Sequence, residues 1–78
     1  MTREEVILEE LNRAEQRLKH VLEYGVDDKE VDEALAYING MRKMLTLLGY
    51  SVIEDEDKSE FVNDKYWVFT YKAIEDRR

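Results

Sequence analysis

Hydrophobic residues follow two different periods along this chain, and the change falls at Gly49. From Ile7 they recur at Leu11, Ala14, Leu18 and Val21, alternate steps of four and three that place them on one stripe of an α-helix. Leu8 and Leu22 widen the stripe. Val31, Ala34, Ile38, Met41, Leu45 and Leu48 repeat the same spacing, whereas Tyr50-Ser51-Val52-Ile53 and the segment from Lys65 to Ile74 alternate with period 2, as strands do.

The helical segments carry their own boundary signals. Thr2 is a good N-cap, and Glu5 can return a hydrogen bond to its backbone, which makes a capping box and starts helix 1 at residue 3. Helix 1 runs over 3–24, and Gly25 is expected to end it in a left-handed conformation. Asp27 caps helix 2, which covers 27–48, with Glu30 in its first turn and a hydrophobic staple between Val26 and Val31. Gly49 terminates it. Two helices of similar length joined by so short a link fold back as an antiparallel hairpin. Met41, Met44, Leu45, Leu47 and Leu48 cover more of the circumference than one seam needs, which places this end between helix 1 and a sheet. Gly40 inside helix 2 costs ~1 kcal/mol relative to Ala, so a close approach by a neighbouring backbone or ring is expected there.

The strands are expected over 50–55 and 65–74, paired as an antiparallel β-hairpin. Residues 59–62 form either a short extra strand or the rising arm of the loop, with Asn63-Asp64 as a turn. Residues 75–78 are expected to fray. The fold class is α+β, a single two-layer domain over 1–78 with element order α-α-β-β.

Strand alternation puts Trp67, Phe69 and Tyr71 on one face and Tyr66, Val68, Thr70, Lys72 and Ile74 on the other. The first set is expected to be the core face against helix 2. The second set, half apolar and rich in Tyr, is the candidate protein interface, and the open strand edge adds unpaired backbone groups. The acidic run Glu54-Asp55-Glu56-Asp57 is a solubilising tip and the candidate contact patch for a basic partner. It lacks the spacing and central Gly of an EF-hand loop.

Composition narrows the function. A chain of 78 residues buries only ~60 % of its surface on folding, so oligomerisation is a natural support for it, and a homodimer is expected. The net charge is −7, and no third of the chain is net basic, which disfavours nucleic acid as a partner. Without Cys, and with His20 accompanied only by Glu23, the sequence offers no metal set, and its two serines, Ser51 and Ser59, fall near a strand end or loop and not in a pocket where a base and an orienting group converge. Helix 1 shows no inward-facing Glu on its seam. No cofactor and no enzymatic activity are expected. The longest apolar runs are far short of the ~18 residues of a membrane span, and the charged start from Arg3 is unlike a signal peptide, so a cytoplasmic location is expected.

No motif identifies a family. The sequence points to a small acidic interaction or regulatory module that acts as a homodimer through its aromatic β-hairpin. Two alternatives accompany it. One is an acidic mimic of nucleic acid that inhibits a nucleic-acid-binding protein, and the other is a dimeric transcriptional regulator that gathers Arg13, Arg17 and Lys19 into a basic stripe.

Overall fold

The computed structural model describes residues 2–25 and 27–77 and shows an α+β fold of two helices followed by antiparallel strands in two small sheets. Helix α1 spans Arg3–Tyr24 and α2 Asp28–Leu47. Strand β1 covers Tyr50–Glu54, β2 Glu60–Val62, β3 Tyr66–Val68 and β4 Tyr71–Asp76. The sheets pair β1 with β4 and β2 with β3, so the short hairpin is nested inside the longer pair.

The helix ends follow from side chains already singled out. Thr2 accepts a hydrogen bond from the Glu5 N–H, and the Glu5 carboxylate accepts one from the Thr2 N–H. The Asp27 carboxylate accepts from the Lys29 N–H. The proposed staple at Val26 lies outside the described residues. Gly49 has φ of 89°, the left-handed region where only glycine is unstrained. Gly25 departs from expectation: its φ is −78°, and it is extended. A Cβ there would sit 2.5 Å from the Val21 carbonyl oxygen, so glycine is needed for clearance and not for handedness.

Leu11, Ala14, Leu18 and Leu22 of α1 meet Ile38 and Leu45 of α2, and strand residues Tyr50, Val62, Val68, Tyr71 and Ile74 complete the core. Fully burying one such aliphatic side chain is worth ~1.5–3 kcal/mol, and this single cluster holds both layers together. The last turns of α2 are less covered than the apolar pattern implies. Leu45 is buried, but Met44, Leu47 and Leu48 are exposed. Gly40 is also corrected, since apart from the adjoining backbone of its own helix nothing lies within 4 Å of the position its Cβ would take.

The expected strand over 65–74 is two strands, broken at Phe69-Thr70. Residues 60–62 are a strand, paired with Tyr66–Val68 through a turn whose central residues Asn63 and Asp64 both have φ of 54°. In the outer pair Ile53 faces Ala73 but Glu54 faces Tyr71, which leaves Lys72 as the extra residue of a β-bulge. The expected fraying of 75–78 is overturned as far as residue 77. Glu75 and Asp76 pair with Ser51 and Tyr50, and the Arg77 N–H donates to the Gly49 carbonyl at 2.8 Å.

Candidate functional site

The inner hairpin presents its rings to solvent. In an antiparallel pair, residues directly opposite share a face, so the register that sets Val62 against Tyr66 sends Val62 and Val68 inward and leaves Phe61 and Trp67 opposite each other outside. The Phe61 and Trp67 rings stack with centroids 5.5 Å apart, and the two side chains are 51 % and 53 % exposed. Phe69 follows Trp67 at 6.4 Å and Tyr71 follows Phe69 at 6.3 Å, so four rings form a row that runs from solvent into the core. The Arg42 guanidinium lies 5.9 Å from the Phe69 centroid and 5.7 Å from that of Tyr71, within cation–π range, and it bonds Glu54 at 3.4 Å.

A buried carboxylate anchors the inner end of this row. Glu15 of α1 is only 2 % exposed, accepts the Tyr71 hydroxyl at 2.7 Å and the Phe69 N–H at 3.2 Å. Asn12, one turn earlier, grips Tyr71 with both ends of its amide, accepting from its N–H at 2.8 Å and donating to its carbonyl at 2.9 Å. The Thr70 N–H goes to the Ser59 hydroxyl. Three successive backbone donors at the strand break are therefore satisfied by side chains, as buried backbone requires. Burial raises the pKa of Glu15 above the usual carboxylate value, against the pull of its two donors and of Arg42. Tyr71 is pushed upward in turn, by burial and by the Glu15 carboxylate.

The candidate interface inferred from alternation is divided by this arrangement. Val68 and Ile74 belong to the core, Tyr66 and Thr70 are half-buried, and Lys72 is exposed at the bulge. The supposed core face is reversed in the same way: Trp67 is exposed, Phe69 half-buried, and Tyr71 alone is buried. The cause is parity. A strand break after Val68 and an extra residue at Lys72 let Val68, Tyr71 and Ile74, three apart rather than two, all point inward.

Part of the acidic run is structural. Glu54 pairs with Arg42, and Asp55 shapes the tip by accepting from the Asp57 N–H on its carboxylate and from the Lys58 and Ser59 N–H groups on its carbonyl. Glu56 and Asp57 are exposed beside the hairpin. The expectation that helix 1 has no inward Glu is overturned by Glu15. Its signal is present in the sequence, because Leu8, Leu11, Glu15, Leu18 and Leu22 form a second three-and-four stripe with an acid at its centre.

A second surface lies on the side of the helical pair away from Asn12 and Glu15. Val6, Ile7, Ala36, Tyr37, Gly40, Met41, Met44 and Leu48 line a groove of about 650 Å³, almost wholly apolar. The Tyr37 hydroxyl reaches Glu10 at its edge. His20 is exposed and leans on the Tyr24 ring at 5.0 Å. Among the described residues no group of acidic, His or Cys side chains could hold a metal ion, and no helix is long and apolar enough to cross a membrane. No protein-family model matches the chain, and no curated protein or solved structure gives a significant match to it.

Proposed function

We propose that this chain is a non-enzymatic protein-interaction module that binds a basic segment of a protein partner through the Phe61–Trp67 pair. The observation that carries this reading is two large stacked rings, each about half exposed, set among acids. Residues 54–65 hold six acidic side chains and two lysines. A Lys or Arg brought to this surface gains a ring face and a field of opposite sign together. Tyr and Trp are also the residues that most often dominate binding energy at protein interfaces.

The same acids bear on the other readings. Self-association through this face would set two acidic segments against each other, so the partner assigned to it is a basic segment and not a second copy. A basic stripe for nucleic acid is poorly supported, because Arg13 pairs with Glu9 and Glu10 and Lys19 with Glu60. A nucleic-acid mimic would share the basic partner but would not need the rings.

Trp67 is the single Trp, so its emission reports this site alone. Titration with a short peptide of alternating Lys and Leu should change that emission saturably, and added salt should weaken the binding. A Glu-Leu peptide should leave it unchanged. Phe61→Ala should weaken the Lys-Leu peptide roughly tenfold, which corresponds to ~1.4 kcal/mol. Unaltered emission up to millimolar Lys-Leu peptide would refute the assignment, and equal binding by Phe61→Ala would favour the mimic.

A further inference from the structure

From the groove on the helical face we infer a separate site, one that takes a second copy of this chain with the two α2 helices packed antiparallel about Gly40. The groove is built for a helix and not for a small ligand. It is open and shallow, follows the line between α1 and α2, and offers aliphatic and Met side chains with few polar groups. At its middle, Ala36 and Gly40 leave a gap, and apart from the adjoining backbone of α2 nothing comes within 4 Å of where a Gly40 Cβ would stand. One turn further on, Met44 projects beside the gap and is 58 % exposed. A gap and a projection on one surface, either side of a point near Gly40, are what a two-fold axis requires: each Met44 enters the gap at Ala36 of the other copy.

Charge selects the second copy and its direction. Along the outer stripe of α2, Lys29, Glu33, Ala36, Tyr37, Gly40, Lys43, Met44 and Leu47 fall on neighbouring turns. The first turns of α2 also carry Asp28, Glu30 and Asp32, whereas its last turns carry Arg42 and Lys43. Antiparallel stacking about Gly40 therefore brings Lys43 of each copy toward Glu33 of the other and opposes the two helix dipoles. Parallel stacking would set acid on acid. With charges of both signs on the stripe, a uniformly acidic or basic peptide meets as much repulsion as attraction there, which disfavours an unrelated charged partner.

The size of the face sets the strength expected. A helix of 20 residues is roughly 30 Å long, and two helices side by side are about 20 Å across, so on the order of 600 Å² per copy is covered. That is near the lower bound for a specific interface, the size at which weak and transient associations are found.

Gly40→Lys tests this without threatening the fold, since Lys is a better helix former than Gly and the site faces solvent. Sedimentation velocity over a micromolar series should show wild type passing from monomer to dimer and Gly40→Lys remaining monomeric, with helicity by circular dichroism retained. Glu33→Lys should weaken the dimer roughly three- to tenfold even though it lowers the net negative charge, and Glu33→Lys with Lys43→Glu together should restore it. A wild type that stays monomeric at high micromolar concentration overturns the inference. So does a Gly40→Lys variant that dimerises like wild type, or a charge swap that fails to restore. Trp67 emission keeps the two surfaces apart: it should be the same in monomer and dimer, and a dimer that shifts it and survives Gly40→Lys would place self-association on the hairpin instead.

Discussion

Glu15 is buried where its charged form is disfavoured, and this makes one residue a source of pH-dependent stability. Between the ordinary glutamate value of 4.5 and the higher value in the folded chain, the folded state holds a proton that the unfolded state has released. The contribution of this site is therefore full at low pH and is lost as pH rises through the folded value. Glu15→Gln removes the titration and keeps both contacts, because its oxygen can accept the Phe69 N–H while its amide donates to the Tyr71 hydroxyl, which then acts as the acceptor. Urea midpoints measured from acidic to neutral pH should show wild type losing stability relative to Glu15→Gln as pH increases. A constant difference would mean that Glu15 titrates normally. Glu15→Ala instead strands the Tyr71 hydroxyl and the Phe69 N–H, and should cost ~2–3 kcal/mol, most at low pH, where the wild-type contribution is full. The position was open to a reader of the sequence as an acid on the Leu8 to Leu22 stripe. Its partners were not, since nothing local ties Glu15 to residues more than fifty positions away.

At the scale of elements, legibility follows the range of the interactions that define them. The capping box at Thr2, the Asp27 cap and the left-handed Gly49 are settled within a few residues, and the antiparallel helical hairpin follows from a short link. Which side of a strand faces the core is settled by its pairing partner. Trp67 and Val68 exchanged roles because β3 pairs with β2, and Tyr71 regained the inside only through the bulge at Lys72. Gly40 was misread for a related reason: a glycine in a helix signals that something needs its missing side chain, but not whether that something lies in the same molecule. Gly40→Ala should raise the stability of the dilute monomer by about 1 kcal/mol, seen as a higher urea midpoint, because helix propensity improves and no atom is displaced. A lower midpoint would mean that the site is crowded after all.

For the molecule as a whole, one cluster joins helices to strands, so loss at its centre should unfold everything at once. Leu11 has no exposed surface, and Leu11→Ala should cost about 2–5 kcal/mol, with circular dichroism and Trp67 emission reporting the same transition. Separate transitions would show that the β2–β3 hairpin is held independently of the helices. The two proposed surfaces sit on different layers of this single body, the groove on the helices and the acid-flanked rings on the inner hairpin. A dimer closed through the groove would leave both ring pairs open, and a partner with two basic segments would be held at both.

The nesting of β2–β3 inside β1–β4 also governs the order in which the chain can assemble. Closing the outer pair from scratch joins Glu54 to Tyr71 across a wide loop. Once the inner turn at Asn63-Asp64 has formed, the free chain left to close is about half as long, which lowers the entropic barrier by ~0.6 kcal/mol. An ordered turn in the folding transition state is the outcome this predicts. Asp64 has positive φ, so Asp64→Gly should speed refolding and Asp64→Val should slow it, while the unfolding rates of both stay close to wild type in stopped-flow traces of Trp67 emission. The two turn residues, Asn63 and Asp64, would then set how fast both surfaces come into being.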